Sequence, residues 1–172
     1  MPDECVFCKI VAKQVPSFGV YEDENFMAFL DIHPNAKGHT LVIPKAHSQW
    51  TWEVPQFGDY FEVAKTIALA AMKSLDSKWV NFLTAGLGVP HSHIHIIPRF
   101  ENDGQPEFPT MHGGNTPPEN ELIEIAAKIR DAVPEFLPKK EEPVVEETVE
   151  EVKEPERSEE DIAWLKRQAG LE

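Results

Sequence analysis

Positive charge is scarce in this chain of 172 residues. Sixteen Lys and Arg residues stand against thirty Asp and Glu residues, which gives a formal net charge of −14. So large an excess of acid argues against a non-specific grip on nucleic acid or on an anionic membrane surface. An anionic substrate would therefore have to be held by a local cluster of hydrogen-bond donors.

Long apolar runs and cysteines are also few. No stretch approaches the ~20 apolar residues that a membrane span needs, and the N-terminal MPDECVFCKIVAKQVPS does not have the apolar run of a secretory signal. Without export, the two cysteines are expected to be reduced thiols or metal ligands rather than a disulfide. We therefore expect a cytoplasmic protein.

The composition changes near Pro138. Residues 1–138 predict one domain with a core of ordinary size. Residues 139–157, KKEEPVVEETVEEVKEPER, are acidic and without aromatic residues, which predicts a disordered linker. Residues 158–172 predict a short C-terminal helix, whose apolar side either docks on its own domain, docks on a protein partner or docks nowhere.

The apolar pattern of the first domain predicts an α+β fold. Short apolar or alternating runs predict strands, and apolar residues repeating at three and four predict two main helices. The predicted strands are residues 20–21, 26–30, 39–44, 79–85 and 93–99, and the predicted helices are residues 57–75 and 118–133. Because strands that follow one another closely pair antiparallel, we expect a five-stranded antiparallel sheet.

Three histidines alternate along the last predicted strand, VPHSHIHIIPR. In a strand, alternate side chains share one face, so His91, His93 and His95 are expected to lie on the same face with Cβ atoms ~6.5 Å apart. Imidazole is costly in a core unless both nitrogens find partners. The pattern therefore favours metal binding, acid–base chemistry or nucleophilic attack on phosphorus.

Two more histidines and a pair of cysteines accompany this strand. His39 and His47 stand just before and just after LVIPKA, and Cys5 and Cys8 form a Cys-x2-Cys pair. That spacing is typical of half a zinc site, which needs two more ligands. The spacing alone does not say which histidines would supply them.

The combination of CVFCKIVAKQVPSFGVYEDENFMAFLDIHPNAKGHTLVIPKAH with VPHSHIHIIPR resembles the histidine-triad family of nucleotide hydrolases and transferases. The family motif is His–φ–His–φ–His–φ–φ, where φ is apolar. The resemblance runs from Cys5 to Phe100, apart from the first long helix. It implies a homodimer whose sheets join across a two-fold axis.

The resemblance implies a covalent mechanism at the middle histidine. His93 would attack the α-phosphate of a purine nucleoside phosphoramidate or a dinucleotide polyphosphate, and water would then release the nucleoside monophosphate from the nucleotidyl-histidine. His95 would donate to a phosphate oxygen, His39 would orient the site, and Asn81 would bond to phosphate or leaving group.

The resemblance also implies binding and metal roles. Asp31 would bind the ribose hydroxyls, and the alternative for this residue is a turn-capping role. The residues implied for the base pocket, which could also be plain core, are Phe7, Ile10, Phe29 and Ile32. The residues implied for a closed, structural zinc site are Cys5, Cys8, His47 and His91. The alternative is a reduced thiol pair without metal.

The sequence departs from the family pattern at two positions. Ser92 replaces an apolar residue between two of the histidines, where we expect it to affect packing more than chemistry. Leu87 stands where the family often has a polar residue that holds phosphate or leaving group. Two other functions therefore stay open: a nucleotide-binding module with negligible turnover that recruits a partner through its acidic tail, and a metalloenzyme with a catalytic zinc on the triad.

Overall fold

The structure is a computed structural model. It describes residues 4–106 and 114–138, together with Ser158, Trp164 and Arg167. Among the helices of this described part, none is both long enough and apolar enough to cross a membrane.

The chain divides into two compact units, Met1–Lys139 and Lys140–Glu172. The predicted linker 139–157 lies outside the described residues. Of the predicted helix 158–172, the structure describes three positions, of which Trp164 and Arg167 are helical. Linker and terminal helix therefore stay predictions.

An antiparallel five-stranded sheet and three α-helices make up the described part of the first unit, which confirms the predicted α+β class. In chain order the elements are α1 (Val6–Val11), β1 (Gly19–Glu22), β2 (Phe26–Leu30), β3 (Thr40–Pro44), a 3-10 helix (Thr51–Glu53), α2 (Phe57–Leu75), β4 (Trp79–Ala85), β5 (His93–Arg99) and α3 (Glu119–Phe136). The helix α1 was not predicted, because six residues without a side-chain cap carry little periodic signal.

The histidine strand lies inside the sheet, whose strand order is β1-β2-β3-β5-β4. Every residue of β5 is buried. In the registers of its two neighbours, Leu41 of β3 and Leu83 of β4 both pair with His95, and Ala85 of β4 pairs with His93. A side chain in this position is held on both sides, so its direction is well defined.

The two faces of the sheet are covered differently. The helices α2 and α3 pack on one face, where Ile94 and Ile96 join the main hydrophobic core. A smaller cluster on the histidine face packs α1 against β2 and β3, and it includes Phe7, Phe29 and Leu41. Because α1 is short, much of the histidine face stays open for a ligand.

The serine that departs from the family pattern is fully buried on the helix face. The Ser92 hydroxyl donates to the Tyr60 hydroxyl at 3.4 Å and shares a hydrogen bond with the Thr51 hydroxyl at 3.2 Å. Tyr60 in turn donates to the Val42 carbonyl at 2.8 Å. The serine therefore leaves no unsatisfied polar group, and it ties the 3-10 helix to the histidine strand.

Candidate active site and metal centre

A cleft of about 790 Å³ opens on the histidine face. Its walls include α1, the 3-10 helix and the turn 86–89 between β4 and β5. The predicted site residues that line it are Phe7, Ile10, Phe29, Asp31, Ile32, His93 and His95. The structure therefore brings the predicted nucleophile, its neighbour and the predicted nucleoside pocket to one cavity.

The ring of His93 is held in one tautomer. Its Nδ1 lies 2.7 Å from the His91 carbonyl oxygen, which can only accept a hydrogen bond. Nδ1 therefore carries the proton and Nε2 keeps its lone pair. The Phe7 ring packs against His93 at 5.1 Å between centroids and fixes its orientation. Burial lowers the pKa of His93, which keeps the ring neutral at pH 7.

Two linked hydrogen bonds, through His39, fix His95 in the tautomer opposite to that of His93. The backbone N–H of Asn35 donates to His39 Nδ1 at 3.1 Å, so the ring proton of neutral His39 is on Nε2. His39 Nε2–H then donates to His95 Nδ1 at 2.9 Å. His95 must carry its own proton on Nε2, a buried atom with no partner among the described residues. The site thus holds a lone pair on His93 and a donor on His95.

Burial keeps the rings of both His39 and His95 neutral. It lowers the pKa of His39 to about 4, with the Asp31 carboxylate opposing and His93 adding to the shift. Burial, with His39 and His93, lowers the pKa of His95 to about 3. Neutral rings preserve the directed hydrogen bonds, whereas a proton on His39 Nδ1 would displace the Asn35 N–H.

We expect acid to destabilise the folded protein through these two rings. In the unfolded chain both take up a proton near pH 6.5, whereas in the folded chain they do so only near pH 4 and pH 3. The unfolded state therefore binds more protons in this window, and each ring costs up to about 1.4 kcal/mol of stability per unit fall in pH. Urea unfolding of the wild type and His39→Gln between pH 7 and pH 4 measures this. An equally steep pH dependence in both proteins would contradict the assignment.

Asp31 lies just after the end of β2, where it makes the turn-capping contact and also faces the cleft. Its Oδ1 accepts the His33 backbone N–H at 2.8 Å, which is the turn-capping interaction. Its Oδ2 lies 3.7 Å from His39 Nδ1, and the residue also lines the cleft. One carboxylate oxygen thus remains available for a sugar hydroxyl.

Asn81 does not reach this site. It pairs with Ile97, four residues along β5 from His93, which is roughly 13 Å at ~3.3 Å per residue. Its Oδ1 accepts a hydrogen bond from Arg99 Nη1 at 2.8 Å, beside the Arg99–Asp103 ion pair. This distance and the hydrogen bond to Arg99 argue against the expected contact between Asn81 and phosphate.

Several lining residues were not among the predicted site residues. They belong to the 3-10 helix region and to the end of β4: Trp50, Thr51, Trp52, Thr84, Ala85 and Gly86. The aromatic pair was visible in the sequence as SQWTWE, but nothing in its spacing indicates a cleft. Leu87 lines the cleft and is 82% exposed. Because its side chain is apolar, it offers no polar contact there.

The predicted zinc ligands meet at one end of β5. One ligand atom from each of Cys5, Cys8, His47 and His91 lies within 4.8 Å of the others. Cys8 Sγ is 3.3 Å from His47 Nδ1 and 3.6 Å from His91 Nδ1, and Cys5 Sγ is 3.4 Å from His91 Nδ1.

These residues fit a tetrahedral zinc ion. Zn–S and Zn–N bonds of about 2.0–2.3 Å place neighbouring ligand atoms roughly 3.3–3.8 Å apart, close to the three distances. His91 Nε2 donates to the Pro44 carbonyl at 2.9 Å, which leaves Nδ1 as the ligand atom and supplies the outer hydrogen bond usual for such a histidine. Four protein ligands would close the coordination shell of such an ion.

Comparison with known proteins agrees with this architecture. Residues 12–102 match the family model of the HIT domain. The chain is 43% identical over 107 residues to an uncharacterized HIT-like protein of Methanocaldococcus jannaschii, covering 59% of this chain and 83% of that protein. It is 42% identical over 100 residues to the adenosine 5'-monophosphoramidase HNT1 of Saccharomyces cerevisiae, covering 55% and 62%.

Among solved structures, a zinc-bound histidine triad family protein from Mycobacterium smegmatis has a TM-score of 0.63 and 32% identity, and the match covers 77% of this chain and 95% of that chain. The five-stranded sheet with His93 and His95 on one face defines a histidine-triad domain. Its cysteine–histidine cluster fits a zinc ion. The chain belongs to the HIT family, as the match over residues 12–102 shows.

Proposed function

We propose that the protein is a nucleotide hydrolase or nucleotidyl transferase that cleaves at the α-phosphate of a purine nucleoside phosphoramidate or a dinucleotide polyphosphate. The observation that carries this proposal is the pair of fixed tautomers in one cleft. His93 offers a lone pair on Nε2 and His95 offers a proton on Nε2. The naming of HNT1 as a phosphoramidase supports the same chemistry.

The proposed reaction has two displacements. His93 Nε2 forms a bond to the α-phosphorus, and the amine leaves with the electron pair of its bond to phosphorus and a proton from solvent. His95 Nε2–H donates to a phosphate oxygen, where negative charge develops. Water then adds to phosphorus, the electron pair returns to His93 Nε2, and the proton of the water passes to solvent. One difficult displacement thus becomes two easier ones.

The remaining site residues bind and position. Asp31 accepts from the ribose hydroxyls, and His39 is a positioning residue that sets the tautomer of His95. The base lies among Phe7, Ile10, Phe29 and Ile32, which give apolar contact and little discrimination.

Cys5, Cys8, His47 and His91 would hold a structural zinc ion, which would link α1 to the start of β5. With four protein ligands, the ion would have no open position for substrate or water. Its contribution would be to fix the position of α1 and of the carbonyl that orients His93.

A homodimer is part of the proposal. The strand β4 lies at the edge of the sheet, with Trp79 and Phe82 about half-exposed. Pairing of two such edges across a two-fold axis would extend the sheet and cover these side chains.

A second candidate function is a nucleotide-binding module with negligible turnover. The observation that favours it is the apolar end of β4 and the following turn, where Ala85 pairs with His93 and Leu87 lines the cleft. Neither side chain can hold phosphate.

Mass spectrometry of the protein mixed with a slowly hydrolysed adenosine 5'-phosphoramidate separates the two. We expect a rapidly quenched sample to contain an adenylyl adduct, mapped by peptide fragmentation to His93. His93→Gln, mixed in the same way, should carry no adduct. A bound but unmodified nucleotide, with no release of AMP, would favour the binding module instead.

A further inference from the structure

Two tryptophans form a stacked pair at the cleft. The indole rings of Trp50 and Trp52 lie 5.2 Å apart between centroids with an interplanar angle of 5°. Both residues line the cleft that contains His93, yet Trp52 is 72% exposed. A side chain that lines a cleft and is this exposed lies at its mouth.

The pair is held in place by its surroundings. Gln49 Nε2 donates to the Gly86 carbonyl at 3.2 Å, and a Cβ at Gly86 would lie 3.1 Å from Trp50 Cε3. The Thr51 hydroxyl, between the two tryptophans, hydrogen-bonds to buried Ser92. Because these contacts order the segment before a ligand arrives, stacking on it would cost little conformational entropy.

The pair lies on the side of the cleft away from the nucleoside residues. Phe29 and Asp31 come from β2 and its end, whereas Trp50 packs on Gly86 in the turn after β4. In the strand order β2-β3-β5-β4, His93 on β5 lies between these two sides. A nucleotide with its base near Phe29 and its α-phosphate at His93 therefore directs its leaving group toward the tryptophans.

The charge of the cleft restricts which leaving group fits. Among the described residues that line it there is no Lys or Arg, and its acidic residue is Asp31. The α-phosphate can use the His95 N–H, but further phosphates would enter an apolar region without a cationic partner. An isolated phosphate charge in such surroundings is costly.

We propose that Trp50 and Trp52 form a leaving-group subsite that stacks a planar aromatic ring. This inference rests on the proposed function and narrows its substrates to nucleoside phosphoramidates whose amine carries an aromatic ring, in preference to dinucleoside polyphosphates. The ring stacks on the open face of the tryptophan pair while the phosphoramidate nitrogen stays at the α-phosphorus. A ring–tryptophan contact of this kind changes affinity about 5- to 150-fold.

The test compares adenosine 5'-phosphoramidates that bear N-benzyl or N-cyclohexylmethyl groups, which are similar in size but differ in aromaticity. The ratio of kcat/KM for the two is measured in the wild type, Trp52→Ala and Trp52→Phe. The control is Phe57→Ala, because Phe57 is also a partly exposed aromatic residue but packs on Phe61 and is not among the residues that line the cleft. Comparing ratios between variants cancels the different basicities of the two amines.

We expect the benzyl preference to fall at least about fivefold in Trp52→Ala and to be kept in Trp52→Phe and Phe57→Ala. A preference that changes less than twofold in Trp52→Ala overturns the subsite. Faster hydrolysis of diadenosine tetraphosphate than of the benzyl compound by the wild type also overturns it.

A binding measurement keeps the subsite testable apart from turnover. The Kd of both phosphoramidates is measured by calorimetry in His93→Gln, with and without Trp52→Ala. A benzyl preference in Kd that Trp52→Ala removes supports the subsite even if the wild type hydrolyses neither compound, in which case the proposed function alone fails. No benzyl preference in Kd overturns the subsite even if both compounds are hydrolysed.

Discussion

Replacement of His93 by glutamine is expected to lower kcat for an adenosine 5'-phosphoramidate by about 10⁴-fold or more, because it removes the nucleophile. Nδ1 of this ring is committed to the His91 carbonyl at 2.7 Å, so Nε2 is the atom free to attack. Glutamine can keep a hydrogen bond to that carbonyl but offers no comparable lone pair to phosphorus. The measurement is steady-state release of AMP.

The corresponding change at His95 should have a smaller effect. His95→Gln retains an N–H donor near the phosphate, so we expect a loss of at most about 10²- to 10³-fold, the range for one donor to developing charge. AMP binding by calorimetry, which should persist in both variants, shows that the cleft is intact. His93→Gly with added imidazole extends the comparison, because a free ring in the vacated space should restore part of the rate.

Two results would contradict the role of His93. One is near-normal turnover by His93→Gln, which would move the nucleophile elsewhere or make water attack directly. The other is a loss of similar size in His93→Gln and His95→Gln with no rescue by imidazole, which would indicate a common role in binding phosphate.

Alternation along one strand made the histidines predictable. A period of two requires only that residues 93–99 form a strand, and side-chain direction then follows from pleating. The structure confirms the strand and places His93 and His95 on the face opposite the main core. Their tautomers were not predictable, because they depend on the His91 carbonyl and on the Asn35 N–H, which are positioned by loops.

Register explains the failure at Asn81. The resemblance implied Asn81, and the residue does lie on the same face of the sheet as His93, because Ala85, four residues further along β4, pairs with His93. Position along the strand depends on how many residues the turn between β4 and β5 uses, and that number places Ala85 opposite His93. This turn, which begins at Gly86, packs on Trp50, and the contact joins segments that are far apart in sequence. Neither propensity nor periodicity contains that information.

Replacement of both cysteines by serine is expected to lower the free energy of unfolding by about 5 kcal/mol, since metal binding that occurs only in the folded state adds directly to stability. For a chain of this size that corresponds to a fall in Tm of about 10–20 °C. The helix α1 has six residues and no side-chain cap, so little besides this cluster and the packing of Phe7 and Ile10 holds it to the sheet.

Treatment of the wild type with a metal chelator provides the matched control for the double variant, because Cys5 and Cys8 are the two cysteines of this chain. A strong chelator should lower the Tm of the wild type toward that of the double variant and leave the variant itself unchanged. Metal analysis of the purified protein should find about one zinc per chain. Finding no metal, together with a Tm that the chelator does not move, would show that Cys5 and Cys8 are a reduced thiol pair.

The activity of the chelated wild type, measured below its lowered Tm, distinguishes a structural zinc from a catalytic one. If the four ligands close the coordination shell, the chelated but folded protein keeps a substantial kcat, because His93 and His95 are not ligands in this cluster. Its KM should rise, since α1 contributes Phe7 and Ile10 to the wall of the cleft. Complete loss of kcat while circular dichroism still reports the folded state would favour the metalloenzyme, because only a catalytic ion is needed for the chemical step and not for the fold.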